Sequence, residues 1–600
     1  MCGIGIAITP GSLEHQNIVE NINNLQLHRG PDNNSIINFK GFSLCHQRLS
    51  IIDLNKRSNQ PYKFKNITLI FNGEIYNFQS LRNELISIGF SFNTNSDTEV
   101  LAVGIYHFGK DFLKRIDGMF ALVWFDSLTN KIFLNSDPFG VKKIYFYNQN
   151  NTFFASSELF ITKLIANKFG YKLNLESRKL IDFCKHLSIP FSETPFKEIN
   201  SVSNGNLIII SLNKFTKEFT FNEEKGFVSK LINFKNNLSR ISILDKVIDE
   251  SLYADVPQGL LISGGLDSTN IALSCRNKNS IFKGYCINTN LVSDGFSNDL
   301  DFARIVSAKE SIPLNIINKE KSISVETIEE TLKSVSNIGE FSSAISLNMI
   351  VKKVGADSIR VIQSGLGADE IYGGYTIMKN FNRLKLLSNL IKLSKLNKVV
   401  FLKILKIYPL VQNVFSTNRV KIINSLLNEN YENLISTLIS WDFEIKSKTN
   451  NHTKINIENY RDLIDFYFDY FLSSSHLPIS DSVSMAESIE LRLPFLSRRL
   501  YSSVYPMLYE RCDKKQILRK RLSEFYEKSF ILRNKAGFGI SPNNLEQPVI
   551  HYLIDNLYDS FIKEVYDISK DDLYKNLSSG IYARFPYVLL SLLTYKKIIE

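Results

Sequence analysis

The sequence predicts an α+β sandwich, four layers with two sheets flanked by helices, followed by an α/β unit on a parallel sheet that ends in a mainly helical part. Three observations predict it. The first two hundred residues carry alternating or continuous apolar runs of strand length, strands alternate with helical segments from about Asn236, and helical patterning dominates past Tyr375.

Taken in order, Ile67–Phe71, Phe120–Phe125 and Leu207–Ser211 read as strands, interrupted by helices at Phe78–Ile88 and Thr98–Phe108. The pattern turns polar and charged after Leu212. We therefore expect a first domain over 2–212, a linker over 213–235 and a second domain over 236–600. In the second domain Gly259–Ile262 leads into a glycine turn and a helix, Phe282–Thr289 and Leu314–Lys319 are strand-like, and Arg360–Gln363 leads into a second glycine turn.

Six hundred residues exceed what one hydrophobic core usually serves, and 44% apolar content supports large cores. The six cysteines (2, 45, 184, 275, 286, 512) show no CxxC pairing or zinc-ligand rhythm, which argues for a reducing setting without a disulfide framework or structural zinc. No basic-then-apolar leader and no run of 18 apolar residues occur, so the expectation is a cytoplasmic protein. The net charge of +11 is uneven. Between Ile371 and Asn428 lie ten Lys or Arg and no Asp or Glu. As a helix, Lys385, Lys392, Lys395, Lys403 and Lys406 fall within an arc of about 80°. A solvated helix face is the simpler reading; the other is contact with an anionic surface through 379–421. No helix-turn-helix, zinc or RNA-binding signature accompanies it, so nucleic acid is not expected.

Chemistry is concentrated in two places. Removal of Met1 would give Cys2 both a thiol and a free α-amine, a nucleophile and its base on one residue. Downstream stand His28-Arg29-Gly30-Pro31-Asp32, Arg48-Leu49-Ser50-Ile51-Ile52-Asp53, Asn72-Gly73-Glu74-Ile75-Tyr76-Asn77 and Ser96-Asp97-Thr98-Glu99. In this order and spacing they resemble the glutaminase half of glutamine-dependent asparagine synthetases, an N-terminal-nucleophile amidotransferase domain. Hydrolysis of the glutamine amide passes through oxyanions that need preplaced donors. The resemblance gives that role to Asn72 and the Gly73 N–H, the substrate α-carboxylate to Arg48, and its α-ammonium to Asp97 and Glu74. Leu49, Ser50, Ile51 and Ile52 complete the implied glutamine site.

The second place is Ser263-Gly264-Gly265-Leu266-Asp267-Ser268, a glycine turn between an apolar strand and a helix, where backbone N–H groups and the helix dipole suit an anion. It lacks the Gly-Lys-Ser/Thr ending of a P-loop and resembles the pyrophosphate loop of ATP pyrophosphatases. Ser364-Gly365-Leu366-Gly367-Ala368-Asp369-Glu370-Ile371-Tyr372-Gly373-Gly374-Tyr375 resembles the second signature of the same asparagine synthetase family. The resemblance implies ATP as cofactor-substrate, lined by Leu261, Ser263, Gly264, Gly265, Asp267, Ser268, Ile287, Ser364 and Gly365. It also implies Mg²⁺ on Asp267 and Asp369, and Lys535 neutralising phosphate charge. The segments Ser484–Leu496, Lys515–Arg519 and Arg533–Phe538 follow in the family's order.

Departures bear on the acceptor. Leu366 stands where the family typically has Glu, Ser136 and Ser482 where it has Arg, and Ser497 where it has Asp. The expected activity is an ATP-dependent glutamine amidotransferase, with aspartate as the default acceptor. A relative amidating another carboxylate, such as a uronic acid or anionic precursor, is the alternative, and a glutamine-sensing binding protein with a silent synthetase site is the alternative of another class. Expected partners are small molecules, with a homodimer left open.

Overall fold

The computed structural model describes residues 2–10, 13–190, 192–213, 218–232, 238–276, 282–288, 299–318, 323–382, 385, 439–441, 445, 447–448, 453, 455–508, 515–533, 545–579, 582 and 584–600. Lys535 and all of the predicted basic face except Lys385 lie outside these residues.

The first unit has twelve strands among the described residues: β1 (Gly3–Ile8), β2 (Asn33–Phe39), β3 (Phe42–Arg48), β4 (Tyr62–Phe64), β5 (Ile67–Ile75), β6 (Gly118–Asp126), β7 (Lys131–Ser136), β8 (Tyr145–Gln149), β9 (Thr152–Ser156), β10 (Ile199–Ser201), β11 (Leu207–Leu212) and β12 (Phe219–Glu224). They form two antiparallel sheets, ordered β10-β8-β9-β1-β3-β2 and β12-β11-β7-β6-β5-β4. Alternation in β1 explains the layering. Ile4, Ile6 and Ile8 enter the core between the sheets, where they meet Ile70, Val123, Leu134 and Ile208. Burying each contributes about 1.5–3 kcal/mol. Gly5 points the other way, and a Cβ there would stand 2.6 Å from Ile22 Cγ2 and 2.5 Å from Cys45 Sγ. Only glycine lets the helix Glu14–Leu25 sit directly on β1. On the opposite face the helix Asp97–Phe108 packs Val100, Leu101 and Val103 against Leu69, Phe71 and Trp124. The result is the predicted four layers.

The stretch expected as a linker differs: it carries β12, which pairs with β11 along its whole length. Its charged look is that of an edge strand. Phe219 and Phe221 pack on the inter-sheet core, while Glu223 accepts from Asn206 at 2.6 Å and Glu224 pairs with Lys110 at 2.5 Å.

The second unit is built on five parallel strands: β13 (Gln258–Leu261), β14 (Phe282–Asn288), β15 (Leu314–Asn318), β16 (Val361–Gln363) and β17 (Glu490–Arg492). Their order is β15-β14-β13-β16-β17. The chain runs outward from β13 to β15, then returns to the other side of β13, so the topology switches between β13 and β16. Ligands of open α/β sheets bind beyond the strand ends at such a switch. Both glycine turns lie there. The described remainder is mainly helical, except for β17, a three-residue strand that patterning over so short a run does not reveal. Among the described residues no helix is long and apolar enough to cross a membrane.

Buried ion pairs join the two units. Asp117 takes the Arg499 guanidinium at 2.7 Å and the Ser497 hydroxyl at 2.6 Å. Arg29 and Lys142 both reach Asp481, at 2.9 and 2.7 Å.

Candidate active site

Cys2 precedes β1 and is nearly buried. Its nitrogen donates to Asn72 Oδ1 at 2.9 Å, which leaves the donor end of that amide, Nδ2, for an oxyanion. Gly73 follows on β5 at φ +144°, and a Cβ would lie 2.0 Å from the Met119 carbonyl oxygen. No other residue fits beside Asn72. Burial pushes the Cys2 thiol up, although the Leu49 backbone and Arg48 pull it back. A thiol so placed needs a base to react, and the α-amine that removal of Met1 would free is on the same residue. The Cys2 carbonyl is held by Arg29 Nε at 3.1 Å, and Arg29 is fixed in turn by Glu158 and Asp481.

The buried acidic groups on this side come from three elements. Ser96 caps the helix Asp97–Phe108 by accepting from the Glu99 N–H at 3.2 Å, and the Glu99 carboxylate takes the Asn93 and Thr94 N–H groups. This fixes Asp97 at the first helical position, where it accepts from the Ile75 N–H at 3.1 Å. Glu74 comes from β5. Glu490 and Arg492 come from β17 of the second unit, with Arg492 Nη2 3.0 Å from Glu74 Oε1. Burial first, then the nearby Glu490, push Asp97 up to about 6. Glu74 is also pushed well above the usual carboxylate range, by burial, Glu490 and Asp97 acting against Arg492.

Arg48 makes contacts that the motif does not disclose. Its guanidinium donates to the carbonyls of Asn55 at 3.0 Å, Ile52 at 3.3 Å and Asp53 at 2.5 Å, and to Asn59 Oδ1 at 2.7 Å. It pins the loop that follows it. Ser50 N–H is held by Asp32 at 2.7 Å, and the Ile51 carbonyl accepts from Asp255 of the second unit at 2.9 Å.

In the second unit the turn after β13 is closed on itself. Ser268 Oγ accepts from the Ser263 N–H and bonds Ser263 Oγ, both at 3.3 Å, and Gly264 takes φ +64° with no room for a Cβ beside Phe302. Arg533 ties the turn down through the carbonyls of Gly264 and Ser263, at 3.3 and 3.0 Å, and pairs with Asp299 at 2.8 Å. Leu261 and Ile287 stand on β13 and β14 near the switch point, and the Ser364 N–H is held by the Arg492 carbonyl at 3.0 Å. A Cβ on Gly365 would be 2.8 Å from Asp267 Cβ, so the two signatures touch.

The cation between the signatures is Lys515. Its Nζ bonds both oxygens of Asp267 at 2.7 Å and pairs with Asp369 at 2.6 Å. Burial opposes its charge, but Asp267 and Asp369 together raise its affinity for the proton. Lys515 stands in the segment Lys515–Arg519, whereas the sequence points to Lys535; only the fold brings 515 to the carboxylates. Among the described residues no group of three or more His, Cys, Asp or Glu could hold a metal. Mg²⁺ usually takes one or two carboxylates plus phosphates and water. Asp267 and Asp369, close enough to share one ammonium, fit that role once phosphate oxygens are present.

Near the missing acid, Leu366 offers only its N–H, bonded to Ser364 Oγ at 3.3 Å. Glu370 follows in the same signature and is buried. Its Oε1 accepts from the Tyr375 hydroxyl at 2.6 Å, its Oε2 has no hydrogen-bond partner among the described residues, and burial with the neighbouring Asp369 pushes it up to about 7.

Comparison with known proteins agrees with both halves. Residues 1–221 match the glutamine amidotransferase domain family and residues 241–576 the asparagine synthase family. Glutamine-hydrolysing asparagine synthetase 1 of Bacillus subtilis (strain 168) is 26% identical over 604 residues, covering 94% of this chain and 88% of the relative. A putative glutamine-hydrolysing asparagine synthetase of Mycobacterium tuberculosis (strain ATCC 25618 / H37Rv) is 26% identical over 598 residues, 91% of this chain and 86% of the relative. Asparagine synthetase B of Escherichia coli (strain K12) is 25% identical over 376 residues, 59% of this chain and 60% of the relative. With its second half matched over more than half of the whole sequence and its first half matched to the partner domain, the chain belongs to the asparagine synthase family of ATP-dependent amidotransferases.

Proposed function

We propose that this protein makes an amide from a carboxylate, with aspartate as the default acceptor and asparagine as product, using glutamine as nitrogen donor and ATP as activator. Cys2 attacks the side-chain carbonyl of glutamine, its proton passing to the α-amine. Asn72 Nδ2 and the Gly73 N–H stabilise the oxyanion. Collapse to the γ-glutamyl thioester releases ammonia, and water then releases glutamate and frees Cys2. Glu74 and Asp97 receive the substrate α-ammonium, and Arg48 its α-carboxylate. In the second unit the acceptor carboxylate attacks the α-phosphorus of ATP and displaces pyrophosphate, giving an acyl-adenylate. Ammonia then attacks the acyl carbon and AMP departs.

In that step the turn 263–268 and the Ser364-Gly365 loop receive the nucleotide, and Lys515 supplies positive charge where pyrophosphate forms. Mg²⁺, held by Asp267 and Asp369, would neutralise further phosphate charge. The observation that carries the proposal is the apolar packing between the two units: Leu49, Ile51 and Ile52 of the glutamine side share one buried cluster with Val361 of β16 and Met485.

The test is pyrophosphate release against a panel of carboxylates, with glutamine or ammonium chloride as nitrogen source. Aspartate should support release with both, and Cys2→Ala should remove only the glutamine-dependent amidation. A different carboxylate leading the panel would transfer the proposal to that acceptor, a reading that Leu366 favours. Wild-type protein that releases no pyrophosphate with any carboxylate would sink the reading.

A further inference from the structure

The glutamine site contains a side chain that belongs to the other half of the molecule. Arg492 lies on β17, and its main chain is fixed by the second unit's sheet: it pairs in register with Gln363, and its carbonyl accepts the Ser364 N–H at 3.0 Å. Its side chain leaves that sheet and enters the glutamine pocket. Nε bonds Glu490 Oε1 at 2.5 Å, Nη1 donates to the carbonyls of Ser251 and Tyr253 at 2.8 and 2.5 Å, and Nη2 faces Glu74 Oε1 at 3.0 Å. The guanidinium is 1% exposed, and the carbonyls that grip it close the C-terminal end of the helix Arg240–Ser251. It can hardly move. A fork held at two of its three nitrogens presents the third at a fixed place.

The charges around it explain why the position calls for arginine. Glu74, Asp97 and Glu490 bring three carboxyl groups into one buried cluster, with Arg492 as the guanidinium paired to two of them. Like charges this close cannot all ionise unless cations answer them. Burial, Glu490 and Asp97 all push the Glu74 carboxyl up, and Arg492 is the side chain that pulls it back. An arriving α-ammonium would supply the second positive charge.

We infer that Arg492, contributed by the synthetase sheet, is a positioning residue of the glutamine site that holds the Glu74 carboxyl where the substrate α-ammonium meets it. This rests on the proposed role of Glu74 in binding glutamine. Arg492 touches no reacting atom. It acts on binding, through Glu74, and its place is set by the strand that also carries the nucleotide loop.

The test is steady-state glutamine hydrolysis by the full-length protein as wild type, R492M, R492K, E74Q and R492M/E74Q. Removing one partner of a buried ion pair leaves the other charge unanswered, so R492M should raise KM for glutamine at least about tenfold while kcat changes less than about threefold. The double variant should bind no worse than E74Q alone, because both changes remove one function. R492K, which keeps the charge without the fork, should fall between wild type and R492M, and it preserves the test if R492M does not fold. Penalties that multiply in the double variant, or a loss confined to kcat, would overturn the inference. Wild-type protein that does not hydrolyse glutamine would overturn the proposed function instead, whereas normal wild-type turnover with an unchanged KM in R492M defeats Arg492 alone.

Discussion

Lys515 meets Asp267 with a single ammonium bonded to both carboxylate oxygens at 2.7 Å, and the same ammonium pairs with Asp369 at 2.6 Å. The backbone of Lys515 takes φ +62°, a left-handed conformation uncommon for a residue with a side chain. One cation thus ties together two signatures that stand about a hundred residues apart in sequence. Removing it leaves two carboxylates facing each other where a triphosphate must enter. Lys515→Met should lower pyrophosphate release at least about a hundredfold with either nitrogen source, the scale of losing one preplaced donor at developing charge. Glutamine hydrolysis, some distance away in the other unit, should persist. Coupled pyrophosphate and glutaminase measurements on the same preparation check both halves of the expectation.

Asp97 predicts a pH dependence of binding. Its carboxyl is pushed up to about 6 in the substrate-free protein, by burial and then Glu490. The neutral acid forms below that value and cannot pair with an α-ammonium. Glutamine affinity should therefore weaken as pH falls through about 6, on top of whatever the raised Glu74 carboxyl contributes at higher pH. Calorimetric titration of Cys2→Ala isolates binding from the chemistry of the thiol and amine. A dissociation constant flat from pH 7.5 to 5 would remove Asp97 from the binding role.

The pair between Arg29 and Asp481 predicts acid lability of the joint between the units. Burial alone would raise Asp481, yet Arg29 and Lys142 outweigh it and hold it at about 2. Its folded value lies below the unfolded one, so its stabilisation is present above about pH 4 and is lost as pH falls toward 2. A shift of this size corresponds to roughly 2–3 kcal/mol. Asp481→Asn should lower Tm at pH 7, since breaking a buried pair costs about 3–5 kcal/mol, and its Tm should fall less steeply than wild type between pH 4 and 2. Parallel Tm curves for the two proteins would place the acid-sensitive contact elsewhere.

What could be read from the sequence follows from where each signal is encoded. Short motifs single out Cys2, Asn72, Gly73, Asp267 and Asp369 as candidates, and the sandwich follows from alternation such as that of Ile4, Ile6 and Ile8 in β1. Contacts made only by the fold were not legible. Lys515 reaches Asp267 across 248 residues, and Arg492 reaches Glu74 from a strand of three residues with no pattern of its own. β12 reads as linker in the sequence because an edge strand is charged for the same reason that a linker is: both face water.

The last prediction concerns the acid absent at Leu366. Two glutamates lie near enough in sequence to replace it, and their surroundings separate them. Glu340 is committed to the N-terminus of the helix Ser342–Ala356, where it accepts from the Ser342 N–H at 2.7 Å, the Ser343 N–H at 3.1 Å, the Ser343 hydroxyl at 2.6 Å and the Ser342 hydroxyl. It is a structural cap with no oxygen to spare. Glu370 is bonded through Oε1 to Tyr375, and its Oε2 is buried without a hydrogen-bond partner among the described residues. An acceptor oxygen left open next to Asp369 can take a proton from ammonia as it attacks the acyl carbon, a contribution commonly about 10²–10⁴-fold. Glu370→Gln should therefore depress amide formation by that factor with ammonium chloride as well as glutamine, while the first-turnover burst of pyrophosphate falls much less. Tyr375→Phe, which loosens Glu370 without removing it, should cost about tenfold, the scale of one charge-assisted hydrogen bond. Glu340→Gln should instead lower Tm and leave kcat nearly unchanged, because its neutral amide still fills the cap. If amide formation survives in Glu370→Gln but collapses in Glu340→Gln, the cap is the base and the assignment reverses.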